Sequence, residues 1–267
     1  MPYIRLAHAG RIHYAERGER RGGERGEPQG GAPSVVFIHG AGARSAIWMM
    51  VMARVARFAH AVAIDLPGHG PSETEGTALD GSGGLTLARY RDAVGELCGA
   101  LCLGPAVLVG HSMGALVAIE AALAWPDKVR ALVLCAAAPK LPVDGGLEKL
   151  LRDDPTGATI WLADHGLSPR AKPAVRSGFL ATGALARPTI TQADFEIVRT
   201  ADLTARLPDV ACPITWIDGA DDRIVLRDPS TDARRGEIVT IPDAGHLLPI
   251  EAPGAIAEAI APATAAV

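Results

Sequence analysis

Val107-Leu108-Val109-Gly110-His111-Ser112-Met113-Gly114 runs straight into Ala115-Leu116-Val117-Ala118-Ile119-Glu120-Ala121-Ala122-Leu123. The first part reads as an apolar strand and the last as a helix, joined by Gly-x-Ser-x-Gly. A serine on so sharp a strand-to-helix turn has strained backbone angles, and glycines on both sides let the two elements approach closely enough to hold it there. Its hydroxyl is then pushed out above the sheet, within reach of a base.

Working outward from this turn, short continuous apolar runs recur at Val35–Ile38, Ala61–Ile64, Ala106–Val109, Ala131–Leu134, Ile214–Ile217 and Ile238–Ile241. Each reads as a strand buried on both faces. Segments with helical periodicity lie between them, about 46–58, 86–102, 114–125 and 252–262. Strands alternating with helices predict an α/β fold with a mostly parallel, doubly wound sheet covered by helices on both faces. Residues 3–8 and 11–16 alternate around Ala9-Gly10 and predict an antiparallel hairpin before it.

Two intervals stand apart. Arg17–Glu27 is rich in glycine and mixed charge, without aromatics, and reads as a solvated loop rather than an RNA-binding arm. From Pro139 to about Pro208 no strong β-run occurs, only short helical stretches around Leu147–Leu151, Thr156–His165 and Ala193–Ala201. The strand pattern resumes at Ile214, so 139–208 is expected to be a helical lid inserted after strand 6 into a core of 1–138 and 209–267.

Composition limits the function. The chain has 267 residues, 48% of them hydrophobic and 21% charged, with a net charge of −4. That is enough chain for a substantial core, and it leaves no basic footprint for nucleic acid and no polybasic membrane-binding segment. No apolar run is long enough to span a bilayer and the N-terminus lacks a secretory pattern, so a cytoplasmic location is expected. Cys98, Cys102, Cys135 and Cys212 are too scattered for a disulfide framework and are expected to pack in the core. No His/Cys/carboxylate cluster has metal-ligand spacing, and neither metal nor cofactor is expected.

A serine hydroxyl needs a base, and the base needs an orienting group. Of eight histidines, His8, His13 and His60 sit in or beside early strands, and His39 and His69 lie in turns that read as structural. His111 leaves the backbone in a different direction from Ser112, and His165 belongs to the lid. His246 follows the last strand in Ile241-Pro242-Asp243-Ala244-Gly245-His246, which places it at the same carboxyl edge of the sheet as Ser112. The orienting acid is expected from the end of the preceding strand, where Asp218 stands on the strand side of Gly219 and Asp221 and Asp222 on the loop after it.

These motifs resemble the α/β-hydrolase family. The resemblance rests on the serine turn, which is that family's nucleophile elbow. It rests also on His39-Gly40-Ala41-Gly42, Asp65-Leu66-Pro67-Gly68-His69-Gly70-Pro71-Ser72, Gly219-Ala220-Asp221-Asp222 and Gly245-His246. The family's Gly-x-x-Asp pattern favours Asp222 over Asp221 as the acid, although the family often continues to a proline where this chain reads Arg223-Ile224-Val225-Leu226. The resemblance also implies an oxyanion hole from the backbone N–H groups of Ala41 and Met113, each worth about 3–4 kcal/mol in comparable sites. It implies a serine hydrolase acting on a small-to-medium, largely apolar carboxylic ester or lactone. Carbon–carbon bond hydrolysis of vinylogous diketones and perhydrolase chemistry remain alternatives, and the aspartate-nucleophile branches are excluded by Ser112.

Trp161, Leu162, Phe179 and Phe195 are candidates for an apolar substrate pocket or for the lid's own small core. Two other classes can be weighed. Gly40-Ala41-Gly42-Ala43-Arg44-Ser45 with Asp65 imitates a dinucleotide fingerprint, but its third glycine is Ser45 and it leaves His246 unexplained. A non-catalytic binding module of the same fold is the other, and the presence of all three triad residue types counts against it. The expected partner is a small molecule; the oligomeric state is left open.

Overall fold

The protein, seen in a computed structural model, is described over residues 2–19, 33–73, 84–142, 147, 149–150, 153–181, 187–225 and 233–265. Among the described residues there are eight strands: β1 Tyr3–Leu6, β2 Gly10–Arg17, β3 Ser34–Ile38, β4 His60–Ile64, β5 Ala106–His111, β6 Val129–Cys135, β7 Ile214–Gly219 and β8 Glu237–Ile241. They form one sheet in the order β1-β2-β4-β3-β5-β6-β7-β8. The first two pairings are antiparallel and all those from β4 to β8 are parallel.

The helices are α1 Met49–Val55, α2 Leu87–Ala100, α3 Met113–Ala124, α4 Pro155–Gly166, α5 Pro173–Ala181, α6 Pro188–Thr200, α7 Leu248–Glu251 and α8 Pro253–Ala265. Buried side chains collect in two large clusters, one around α2 and α3, the other around α1 and α8. Alternate residues of the central strands divide between them: Val36 and Ile38 go to the first, Val35 and Phe37 to the second. This two-sided burial is why β3 to β6 read as continuous apolar runs.

The strand and core-helix expectations hold, with three corrections. β8 is an edge strand with Glu237, Ile238 and Thr240 exposed, not a strand buried on both faces. Cys102 is exposed, in a positive-φ turn after α2, rather than packed in the core. Helix α5 lies outside the helical stretches read from the sequence, in an interval with several prolines and glycines. Proline at the start of a helix occupies a position whose N–H has no partner anyway, and α4, α6 and α8 likewise begin on proline. The Arg17–Glu27 loop lies mostly outside the described residues, and the stretch at Leu147–Leu151 only partly within them.

Between β6 and β7 the chain leaves and returns through a narrow neck. The Leu203 N–H donates to the Pro139 carbonyl at 2.9 Å, and Lys140 and Asp202 form both a β-bridge and an ion pair. Helices α4, α5 and α6 lie within this excursion. Among the described residues no helix is long and apolar enough to cross a membrane.

The β5–α3 turn is held by close packing. Ser112 has φ 51° and ψ −120°, outside the comfortable range of a residue with a side chain. A Cβ on Gly114 would lie 2.3 Å from the Ile38 carbonyl oxygen, and one on Gly110 would lie 2.4 Å from that of Gly114. Gly114→Ala should therefore destabilise the protein by about 1–3 kcal/mol, the usual cost of overpacking, as read by urea denaturation; unchanged stability would contradict this packing.

Candidate active site

The carboxyl ends of the parallel strands deliver the site's residues to one edge. His39 and Gly40 follow β3, Asp65 follows β4, Ser112 follows β5, Asp221 and Asp222 follow β7, and His246 lies beyond β8. Ser112 and His246 line one cavity of about 990 Å³, together with Ala41. Trp161, Leu162, Phe179 and Phe195 belong to the apolar part of its wall. Trp161, Leu162 and Phe195 also pack on Leu147 and Ala158, so these side chains belong to both the pocket and a small core of the segment between β6 and β7.

The three aspartates at the end of β7, Asp218 within the strand and Asp221 and Asp222 after it, separate by partner. Asp218 is nearly buried and paired with Arg234 at 2.8 Å. Asp221 accepts from Ser168 Oγ at 2.6 Å. Asp222 alone faces the histidine: its Oδ2 accepts from His246 Nδ1 at 3.2 Å, and its Oδ1 accepts the N–H groups of Ile224 and Val225. Burial by itself would raise the Asp222 carboxyl, but the charge of His246 and these three hydrogen bonds outweigh it and hold the pKa at about 2.

His246 is also held through its backbone. The His111 Nε2–H donates to the His246 carbonyl at 2.8 Å, with the ring centroids 5.0 Å apart. Burial, reinforced by the charge of His246, pushes the His111 imidazole down to about 3, so it stays neutral and serves as a fixed donor. Glu251 accepts both the Gly245 N–H and the Ser168 N–H, tying the histidine loop to the end of α4. Burial raises the Glu251 pKa. Among the described residues, Ser112 Oγ makes no hydrogen bond to His246. Such contacts are often loose without substrate and tighten when it binds.

Ala41 stands in the turn after β3. Its N–H has no acceptor among the described residues, whereas the Ala43 N–H donates to Gly40 and the Gly42 N–H to Asp194. Met113 is the first residue of α3, where the N–H has no intrahelical acceptor. Both amides are thus available for an anion. His39 accepts from the Leu66 N–H and donates to the Gly40 carbonyl, which fixes it as a neutral tautomer. Burial, with the neighbouring His69 charge, lowers its pKa to about 4. No group of three or more His, Cys, Asp or Glu among the described residues could hold a metal ion.

Sequence reasoning did not single out Asp194, Tyr90, Glu251 or Ser168. Asp194 carried a signal: it lies among Ile190, Ile197 and Val198 on the buried stripe of α6, where a carboxylate is out of place. The other three carried none.

Comparison with known proteins agrees with this architecture. Residues 35–259 match the model of the alpha/beta hydrolase family. The chain belongs to that family. A pimeloyl-[acyl-carrier protein] methyl ester esterase of Xanthomonas oryzae pv. oryzae is 30% identical over 239 residues, covering 81% of this chain and 89% of that one. A 2-(acetamidomethylene)succinate hydrolase of Mesorhizobium japonicum is 32% identical over 115 residues, a match that spans 43% of this chain and 39% of the relative. Among solved structures, the enol-lactonase of Burkholderia xenovorans LB400 superposes with a TM-score of 0.81 at 21% identity, over 99% of this chain and 100% of that one. An eight-stranded α/β-hydrolase fold and a hydrolase are what these likenesses support.

The Asp222 carboxylate predicts a measurable acid limb. Because its folded pKa lies below the ordinary carboxylate value, its contribution to stability is complete above about pH 4 and is lost as pH falls through about 2. Between pH 5 and 2 the wild type should lose more stability than Asp222→Asn, as measured by denaturation at each pH; parallel curves would contradict the assignment.

Proposed function

We propose that this hydrolase cleaves a largely apolar carboxylic ester or lactone through an acyl-enzyme on Ser112. The observation that carries the reading is the placement of Ser112, on a strained strand-to-helix turn, in the same cavity wall as a His246 whose Nδ1 is bonded to Asp222. His246 Nε2 takes the proton as Ser112 Oγ attacks the carbonyl carbon. Asp222 holds the tautomer and stabilises the imidazolium, as an orienting acid does in a triad.

The negative charge on the former carbonyl oxygen is received by the N–H groups of Ala41 and Met113. When the tetrahedral intermediate collapses, His246 returns the proton to the leaving alcohol. A water then attacks the acyl carbon with His246 as base, and the acid departs with Ser112 regenerated. In a lactone the leaving alcohol stays tethered to the acid.

The apolar cavity wall favours an acyl or alcohol part of moderate size, since about 990 Å³ of space lined by Trp161, Leu162, Phe179 and Phe195 rewards burial of hydrocarbon. Helices α4 to α6 act as a cap over that space. The names of the relatives, an ester hydrolase and an enol-lactonase, support ester and lactone chemistry at the level of the family.

Two outcomes are expected. Ser112→Ala should abolish both hydrolysis of aryl esters and labelling by a fluorophosphonate probe, and wild-type turnover by this variant would refute the mechanism. Asp222→Asn should reduce kcat by roughly 10⁴-fold, as loss of the correct histidine tautomer does in triads, whereas Asp221→Asn should stay within about tenfold of wild type because its partner is Ser168; steady-state kinetics on one ester separates the two.

A further inference from the structure

The oxyanion turn is reached by a side chain from the insertion. Asp194, in the middle of α6, is fully buried. Its Oδ2 accepts the Gly42 N–H at 2.8 Å and His69 Nε2–H at 2.7 Å, and its Oδ1 accepts the Tyr90 hydroxyl at 2.5 Å. The donors come from three places: the turn after β3, the turn after β4, and α2. A carboxylate taken wholly out of water is tolerated only with such charge-assisted partners.

His69 is fixed as an imidazolium by its surroundings. Nε2 faces Asp194 and Nδ1 faces the Pro67 carbonyl at 3.2 Å, so both nitrogens meet oxygen acceptors and both carry protons. Burial opposes that charge, but the Asp194 carboxylate and the two hydrogen bonds raise the pKa above its ordinary value. Burial and the Asp194 charge raise the Tyr90 pKa, so its hydroxyl remains a donor.

Anchoring the insertion accounts for the bonds to His69 and Tyr90. It does not account for capture of the Gly42 amide, which belongs to the turn that carries Ala41. Gly42 has φ 65°, so the peptide before it is turned away from the direction an ordinary residue would choose. The Gly42 N–H is held by Asp194 and the Ala43 N–H by Gly40, while the Ala41 N–H, in a turn that lines the cavity, has no acceptor among the described residues.

We propose that Asp194 is a positioning residue for the oxyanion hole: by accepting the Gly42 N–H it sets the aim of the neighbouring Ala41 N–H, so that seating of α6 and completion of the oxyanion site are one event. This rests on the acyl-transfer reading of Ser112. Asp194 touches no substrate; it acts through the turn. The geometry also separates charge from position. An asparagine at 194 can keep its carbonyl oxygen on Gly42 and His69 while its amide donates to the Tyr90 oxygen, whereas alanine keeps none of these bonds.

The test compares Asp194→Ala and Asp194→Asn with wild type on a short aryl ester, and measures inhibition by an aryl trifluoromethyl ketone, which forms a tetrahedral oxyanion on the serine. Asp194→Ala should lower kcat about 10–100-fold, short of the loss seen when a donor is removed outright. Its KM should stay within about threefold and ketone affinity should fall in parallel with kcat/KM. Asp194→Asn should lose thermal stability with the ion pair yet retain kcat within about fivefold, the rescue that a purely structural role does not predict.

A folded Asp194→Ala with wild-type kcat, or with a change confined to KM, overturns the inference. Should alanine at 194 not fold, amide exchange in the wild type decides: the Gly42 amide is expected to be strongly protected and the Ala41 amide not. Rapid exchange at Gly42 overturns the inference. Fluorophosphonate labelling of wild-type Ser112 in the same experiment keeps a failure here distinct from a failure of the acyl-transfer reading.

Discussion

The close approach of the β5–α3 turn to the end of β3 is the constraint on which the rest of the site depends. Gly114 lies directly against the Ile38 and His39 carbonyls, closer than any side chain allows. That contact forces Ser112 into φ 51° and sets the start of α3 beside the His39–Gly42 turn. Ala41, in that turn, and Met113, the first residue of α3, therefore sit on two elements packed against each other, and a looser turn would relieve the serine and loosen that packing.

Around this contact the protein uses histidines mostly as fixed parts. His111 is kept neutral by burial and holds the His246 carbonyl; His39 is kept neutral and links the turns after β3 and β4. His69 is held charged by Asp194 and Pro67. His246 differs in that one nitrogen is engaged by Asp222 while the ring lines the cavity. Carboxylates divide in the same way: Asp218 and Asp221 are occupied by Arg234 and Ser168, leaving Asp222 for His246. The segment between β6 and β7 joins this framework through Ser168, Asp194 and the neck at Pro139 and Leu203.

The parallel core was legible because two-sided burial writes itself into sequence as uninterrupted apolar runs, as in Val35–Ile38 and Val107–Val109. β8 shows the limit: Ile238-Val239-Thr240-Ile241 has the composition of a buried strand, but only its place at the sheet edge decides which faces are covered. Helix α5 was hidden because proline reads as a breaker unless it is known to be the first residue of a helix. The candidacy of Ser112, Asp222 and His246 rests on motif and order. Their pairing geometry is not readable there, since three aspartates stand close together at the end of β7 and their partners come from other segments. Asp194 was readable only as a misplaced charge on an apolar stripe; that its carboxylate meets an amide 152 residues away depends on how α6 folds back over the sheet.

In the proposed mechanism the acyl group passes through Ser112 Oγ. Acid-quenching the wild-type protein during turnover of an activated aryl ester, followed by peptide mapping by mass spectrometry, reads this directly. The predicted result is an acyl mass increment on the peptide containing Ser112 together with a burst of the aryl alcohol approaching one equivalent. Turnover with Ser112 unmodified and the acyl group on another residue would contradict it.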